Sequence, residues 1–231
     1  MFKPIWNRTA AVLVVLAASA PAADVARWQA GRPPKQEGLT MAPQPGSVTR
    51  LETVAGVAVM RLEPSRDYFS RASYAFRLNR RPAGRIWLVI EFVDRGFGVI
   101  SVSPAAAEAR QWGTVRVNTG RLRRATVEYD AGAIQDSVRI AGLDYLHAIW
   151  ITTQQPPLEY APLVEPTVKF AAAGERVVAT AGRVQDRSQL NEALAGLRNE
   201  LPLFRALGFN GVETYVRWGW VETRRGIYDW S

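Results

Sequence analysis

The chain has 231 residues, of which 48% are hydrophobic, and its 29 Lys and Arg against 21 Asp and Glu give a formal net charge of +8. This length suits one or two domains, and the apolar fraction is ample for a packed core. Because the chain has no cysteine, its composition excludes a disulfide framework and a thiolate metal site.

The first 23 residues have the organisation of a secretory signal peptide. Lys3 and Arg8 supply a basic start, residues 10–18 form a short apolar run, and residues 20–22 read Ala-Pro-Ala, a small-x-small cleavage pattern. The apolar run is shorter than the about 20 residues that a membrane-spanning helix needs, although an uncleaved anchor is the alternative. We therefore predict a secreted or periplasmic protein with no stable membrane span after cleavage.

Residues 24–47 are rich in Pro, Gly, Gln and Ala without hydrophobic periodicity, so we predict a flexible linker there. From residue 48 to residue 170, short strands broken by turn residues recur at roughly ten-residue spacing, which is typical of a β-sandwich or jelly-roll. Residues 86–102 are predicted to form a hairpin around a turn at 94–98. The predicted strands are 54–62, 74–78, 85–93, 99–102, 114–117, 124–129, 137–140 and 148–152.

Three stretches of this mainly β region resemble the β-sandwich accessory domains attached to many secreted glycoside hydrolases. They are residues 88–94 with Gly96 and Gly98, residues 112–121, and residues 138–143 with the strand at 149–151. The resemblance implies a carbohydrate-binding-like domain over residues 48–170.

Sugar sites commonly set an aromatic ring against a pyranose and use polar side chains to fix its hydroxyls. Trp87 and Trp150 lie inside apolar runs, so we predict both in the core. Phe97 and Trp112 lie at turn or loop positions and are the better candidates for a binding face, although a packing role is favoured for both.

Two polar positions have a structural and a functional interpretation. Asp94, close to Gly96 and Gly98, is either a calcium ligand or part of a turn, and a single carboxylate favours the turn. His147 is the only histidine, and a satisfied structural residue is favoured over a metal or catalytic centre. We predict no metal site and no cofactor.

The basic residues form two local clusters, which indicate either a solvated face or attraction to an acidic polymer. No zinc-finger spacing or RNA-recognition motif accompanies them, so we predict no nucleic-acid partner. The predicted partner is a carbohydrate, an oligosaccharide or polysaccharide, with acidic ones included. The clusters are Arg77, Arg80, Arg81 and Arg85, then Arg121, Arg123 and Arg124.

After a second predicted linker at 171–187, residues 188–207 show the spacing of an amphipathic helix. Pro202 is expected to kink or break it near Glu200, and Gly208 is expected at the C′ position after its end. A strand is predicted to begin near Gly211. The apolar helical face comprises Leu190, Leu194, Leu197, Leu201 and Phe204.

Residues 207–218 read Leu-Gly-Phe-Asn-Gly-Val-Glu-Thr-Tyr-Val-Arg-Trp, followed by Glu222 and by Gly-Ile-Tyr-Asp-Trp-Ser at 226–231. This stretch resembles the first barrel strand of (β/α)8 glycoside hydrolases, most closely the β-galactosidase-like families. The resemblance implies that residues 188–231 begin a truncated (β/α)8 barrel behind the β-sandwich.

In such barrels the active site lies at the carboxyl ends of the strands. The resemblance therefore implies three substrate-binding residues: Tyr215 touching the sugar, Trp218 as a wall of the site, and Glu222 as a carboxylate supporting the loop. Each also has a structural interpretation: Tyr215 packs in the barrel, Trp218 anchors a loop, and Glu222 pairs with Arg224 or Arg225.

Retaining glycosidases need two carboxyl groups about 5 Å apart. In the clan that the chain resembles, both are glutamates on strands 4 and 7, so no catalytic residue is expected within these 231 residues. We interpret the chain as the amino-terminal fragment of an exported, retaining glycoside hydrolase acting on O-glycosidic bonds, inactive alone. The alternative is a non-catalytic carbohydrate-binding or cell-envelope β-sandwich protein.

Overall fold

The computed structural model describes residues 24–44, 46–63, 72–104, 111–130, 133–134, 136–167, 175–180, 190–213 and 218–228. The signal peptide predicted for residues 1–23 lies outside this part of the chain. Within the described ranges, no helix is long and apolar enough to cross a membrane.

In the described part of residues 24–152, twelve strands form two antiparallel sheets. The first sheet has the order β10-β7-β12-β1-β2, and the β4–β5 pair joins it through β12; the second has the order β3-β6-β11-β8-β9. The strands are β1 (Asp24–Gln29), β2 (Lys35–Glu37), β3 (Leu39–Ala42), β4 (Thr49–Val54), β5 (Val57–Leu62), β6 (Ser73–Leu78), β7 (Ile86–Val93), β8 (Phe97–Pro104), β9 (Gln111–Val117), β10 (Leu122–Tyr129), β11 (Ser137–Ala141) and β12 (Tyr145–Thr152).

The two sheets enclose one apolar core, as predicted for a mainly β sandwich. Successive side chains of a strand point to opposite faces, so every second residue enters the core. On β7 these are Ile86, Leu88, Ile90 and Phe92, each at most 1% exposed. Residues 87, 89 and 91 therefore point away from the core, onto the outward face of the first sheet.

Residues 24–47 differ from the predicted flexible linker, because they contain three strands of the sandwich. β1 lies between β12 and β2 in the first sheet, and β3 pairs with β6 in the second. Trp28 is 1% exposed and meets Phe76 edge to face at 5.3 Å between ring centroids. The alternation of β1 was not recognised because a stretch rich in proline and glycine begins directly after it, at Gly31.

The predicted strand 54–62 belongs instead to the β4–β5 hairpin, which turns at Ala55 and Gly56. Both turn residues have positive φ, 52° and 77°, as a type I′ hairpin turn requires. The apolar character of the turn concealed it in the sequence.

The hairpin predicted over 86–102 is wrong, because β7 and β8 lie in different sheets. The intervening Asp94 is fully buried, and its Oδ1 accepts hydrogen bonds from the backbone N–H groups of Val117 and Asn118 at 2.9 and 3.3 Å. Its Oδ2 accepts from the N–H and hydroxyl of Thr119 at 3.2 and 2.8 Å. These bonds tie the β7–β8 crossover to the β9–β10 connection.

A βαβ unit follows the sandwich. Strands β13 (Val178–Thr180) and β14 (Gly211–Glu213) pair in parallel, and helix α1 (Leu190–Ala206) lies between them in the chain. β13 falls inside the predicted linker 171–187. The parallel pairing involves three residues of each strand, and the (β/α)8 barrel stays a prediction.

Helix α1 runs through Pro202 to Ala206, so the break predicted near Glu200 does not occur. It ends as predicted at Gly208, which has a φ of 92°. The N–H of Phe209 bonds the carbonyl of Phe204, and the N–H of Gly208 bonds that of Arg205, both at 3.0 Å. This bonding pattern is a Schellman motif.

Helix α1 packs on the outward side of the second sheet. Leu203 and Ala206 contact Val115 and Val117 of β9 in a second apolar cluster, whereas Leu201 is 38% exposed. Leu201 therefore lies outside the packing face, although the sequence prediction included it. The chain then forms a short helix, α2 (Trp218–Val221), and the pair β15 (Glu222–Arg224) and β16 (Ile227–Tyr228).

Candidate functional site

The outward face of the first sheet carries an aromatic and polar cluster around Trp150. On β12, Ile149 and Ile151 enter the core, so Trp150 between them points outward, and its side chain is only partly buried. The neighbouring outward positions are polar on β1 and β10, whereas β7 contributes Trp87, the buried Val89 and Glu91. We call this surface the Trp150 face; it comprises Arg27, Gln29, Trp87, Glu91, Arg124, Thr126 and Trp150.

Two guanidinium groups flank the Trp150 indole. Arg27 is the direct cross-strand partner of Trp150 on β1, and its Cζ lies 5.4 Å from the ring centroid. Arg124 reaches over from β10, with its Cζ 5.2 Å from the centroid. Since β1 and β10 lie on opposite sides of β12 in the sheet order, the cations approach the ring from two sides. Both cation–π contacts fix the indole in place.

The carboxylates of this face are paired with the same arginines. Arg124 donates a 2.7 Å hydrogen bond to Glu91, whose side chain is 17% exposed. Arg27 lies 3.8 Å from Asp24, which is beyond hydrogen-bond distance. Partial burial raises the pKa of Asp24, and the charge of Arg27 opposes that shift.

A second aromatic group lies at the other end of β12. The Tyr145 ring has the Cζ atoms of Arg61 and Arg95 at 5.9 and 5.6 Å from its centroid. Arg61 donates a 3.1 Å hydrogen bond to Glu52, which raises the pKa of Arg61. Tyr145 packs with Val93 and Val59 in a small apolar cluster on the outward side.

The aromatic residues divide differently from the sequence prediction. Trp87 is buried as predicted, at 8% exposed, although it lies on the outward side of the first sheet, whereas Trp150 is only partly buried and lies outside the main core cluster. Phe97 packs in the apolar cluster beneath α1, so its packing role is confirmed. Trp112 lies on β9, and its side chain is outside the described part. The position of Trp150 was missed because an apolar run does not reveal which of its residues point into the core.

Asp94 and His147 have the structural roles that were favoured. The fifth donor to Asp94 is Arg123 at 2.9 Å, so both carboxylate oxygens are occupied. The Nδ1 of His147 lies 2.7 Å from the carbonyl of Ala58 and donates to it, which leaves Nε2 to accept from Gln29 at 3.4 Å. Across the described ranges, no three His, Asp or Glu side chains converge as metal ligands.

The predicted arginine clusters do not form one surface. Arg123 is buried against Asp94, Arg85 pairs with Glu128 at 3.0 Å, and Arg77 lies on β6 in the other sheet. Only Arg124 belongs to the Trp150 face.

The three residues implied by the barrel resemblance come later in the sequence than the strands that form the Trp150 face. Tyr215 lies outside the described residues, and Trp218 begins α2 with a side chain that is likewise not described. Glu222 Oε1 accepts a 2.7 Å hydrogen bond from the N–H of Gly226, which holds the β15–β16 turn. Their contacts with a sugar remain predictions.

A cleft of about 270 Å³ lies beside β3 and β6. Its lining includes Gln44, Ser47, Thr49 and Ser73, and it carries no charged side chain. The Ser47 hydroxyl already accepts a 3.2 Å hydrogen bond from the N–H of Ser73. The cleft is a weaker candidate than the Trp150 face, because its one aromatic residue, Tyr74, is 1% exposed.

No protein-family model and no curated protein matches the chain. A carbohydrate-binding module from Cellvibrio mixtus lichenase 5A, in complex with cellotriose, is similar at a TM-score of 0.36 and 16% identity, covering 58% of this chain and 100% of the module. A CBM22-1–GH10 structure of Clostridium thermocellum xylanase 10B, complexed with xylohexaose, gives 0.34 and 15%, covering 77% of this chain and 35% of that one. A family 29 carbohydrate-binding module from Piromyces equi gives 0.34 and 10%, with coverages of 58% and 92%. These similarities do not assign the chain to any of these families.

Proposed function

We propose that this chain binds carbohydrate, and that the Trp150 face holds the glycan. The observation that carries the proposal is the position of Trp150, a partly exposed aromatic residue on the outward side of the first sheet rather than in the core. An aromatic ring surrounded by a few placed polar groups is the usual composition of a sugar site.

The face also supplies hydrogen-bonding groups next to the ring. Gln29 and Glu91 occupy outward positions on β1 and β7, on either side of Ala148 of β12. Because two cations hold the indole in place, little rotamer freedom is lost on binding. A side-chain cluster that is ordered in advance loses less conformational entropy when a glycan binds to it.

The test is affinity electrophoresis of the 231-residue chain through gels containing different polysaccharides. Trp150→Ala should abolish the retardation that a bound glycan causes. Tyr160→Ala is the matched control, because Tyr160 is an aromatic residue that is 56% exposed on the segment after β12. Equal retardation of both variants, or no retardation of the parent chain in any glycan, would contradict the proposal.

We further propose that the chain is the amino-terminal part of an exported, retaining glycoside hydrolase, secreted or periplasmic. Two observations support this: the barrel-like sequence of residues 207–231 and the parallel β13-α1-β14 unit behind the sandwich. Under this proposal Tyr215, Trp218 and Glu222 line the sugar site, and the catalytic glutamates follow later in the protein.

Reading the coding sequence past the Ser231 codon tests this second proposal. We expect alternating strands and helices over a few hundred residues, with two glutamates at strand ends. A stop codon directly after Ser231 would remove the catalytic claim and leave the binding claim untouched.

A further inference from the structure

We propose that the glycan held by the Trp150 face is an acidic polysaccharide, recognised through its uronate carboxylates by the arginines that flank Trp150 and Tyr145 of β12. This inference rests on the proposed carbohydrate-binding function and names the chemical class of its ligand.

The first observation is that the ring of Trp150 is flanked by cations. The Cζ atoms of Arg27 and Arg124 lie 5.4 and 5.2 Å from its centroid and approach from two sides of β12. A neutral pyranose stacks on a free ring face, whereas guanidinium groups compete for that position on Trp150. The groups presented beside the indole are therefore cationic N–H donors, whose best partners are anionic oxygens.

The second observation is that this arrangement occurs twice on one strand. Tyr145 also lies between two arginines, Arg61 and Arg95, at 5.9 and 5.6 Å. Tyr145 and Trp150 are five positions apart on β12, which corresponds to at most about 16 Å because the strand carries a bulge between Leu146 and Ala148. Two like clusters at this separation suit an extended polymer lying along β12 better than a single small sugar.

The third observation is that two of the four arginines are weakly neutralised. Arg27 lies 3.8 Å from Asp24, and Arg95 has no ion pair with any described residue. Arg124 and Arg61, in contrast, bond directly to Glu91 and Glu52. Arg27 belongs to the Trp150 cluster and Arg95 to the Tyr145 cluster, so each cluster offers one guanidinium to a carboxylate of the polymer. The planar guanidinium of arginine can bind a carboxylate through two parallel hydrogen bonds.

The experiment compares polygalacturonate with the same polymer after reduction of its carboxyl groups, which keeps the linkage and removes the charge. Binding to the 231-residue chain is measured by isothermal titration at two salt concentrations. We expect at least about tenfold tighter binding to the polyuronate, since charge-assisted hydrogen bonds are worth more than neutral ones. Added salt should weaken it.

Variants then locate the effect. Arg27→Gln and Arg95→Gln should each weaken polyuronate binding about tenfold, whereas Arg139→Gln should not change it. Arg139 is exposed on β11 in the second sheet, so it controls for net charge alone. Unchanged thermal midpoints confirm that each variant is folded.

The outcomes separate the two proposals. Equal binding of both polymers that is lost in Trp150→Ala would overturn the acidic ligand and keep the glycan site. Equal binding of a sulfated dextran would extend the recognised group from carboxylate to sulfate and overturn the uronate assignment. Equal binding of single-stranded DNA, or an equal loss in Arg139→Gln, would show attraction by charge alone and would also overturn it.

Discussion

Arg123 donates a 2.9 Å hydrogen bond to the Asp94 carboxylate, and the two side chains are only 4% and 0% exposed. This pair joins the β7–β8 crossover to β10 and so fixes where the chain passes from one sheet to the other. Arg123 also donates to the Val115 carbonyl at 2.9 Å. The Arg123 guanidinium on β10 therefore connects β9 with the residue that follows β7.

Asp94→Asn should destabilise the sandwich strongly, because it leaves the buried Arg123 without its counter-charge. We expect the free energy of unfolding to fall by about 3–5 kcal/mol in urea titrations. Glu128→Gln is the control, since its pair with Arg85 is exposed and should cost less than about 1 kcal/mol. Similar costs for the two variants would contradict the role of Asp94 as the buried counter-charge.

Gly142→Ala should destabilise the protein more than Gly84→Ala. Both glycines have positive φ, 73° and 75°, so alanine costs about 1 kcal/mol of backbone strain at either position. Only at Gly142 would the added Cβ overlap the Val99 carbonyl, whereas nothing lies within 4 Å at Gly84. We expect a further loss of about 1–3 kcal/mol for Gly142→Ala. Equal thermal midpoints of the two variants would contradict the packing of this turn on β8.

Leu203→Ala should loosen the packing of α1 on the sandwich. Leu203 is partly buried against β9, so its truncation should cost about 2 kcal/mol. Leu201→Ala on the same helix should change stability by less than about 0.5 kcal/mol, because Leu201 is 38% exposed. The reverse order in denaturant titrations would favour the helical face predicted from the sequence.

Stability should decrease at alkaline pH because of two core tyrosines. Burial raises the pKa of Tyr74 and Tyr129 above the ordinary value. Above pH of about 10 the unfolded tyrosines ionise while the folded ones keep their protons, so stability is full below that pH and falls as pH rises.

Tyr129→Phe isolates this effect, because the Tyr129 hydroxyl makes one long hydrogen bond, 3.3 Å to the Val102 carbonyl. The variant should lose stability less steeply than the parent between pH 10 and 12, by up to about 1.4 kcal/mol per pH unit. Parallel curves from circular dichroism melts would show that burial of the Tyr129 hydroxyl does not cause the alkaline loss of stability.

The strands from β6 to β12 were predictable from the sequence, because a half-buried strand alternates with a period of two, whereas β1 to β4 and β13 were not recognised. β10 shows it plainly, with Ala125, Val127 and Tyr129 buried between more exposed neighbours. The C-terminus of α1 was also predictable, since Gly208 at positive φ is a local requirement. In both cases the signal lies in adjacent residues.

Pairing between distant strands was not predictable. Nothing local shows that Arg27 lies opposite Trp150, because 123 positions separate them and β1 sits beside a proline-rich stretch. The same holds for Asp94, whose five donors come from residues 117–123. The candidate site was missed because it is defined by register between strands.

The position of the Trp150 indole during glycan binding tests the central claim most directly. In a ¹⁵N-labelled chain, each tryptophan gives one indole N–H signal, and single Trp→Phe variants assign them. When a polysaccharide that the chain binds is added stepwise, the indole signal of Trp150 should shift progressively. The signal of Trp28, which is 1% exposed, should not shift. An unmoved Trp150 signal in a titration that shifts other tryptophans would place the glycan elsewhere and contradict the account.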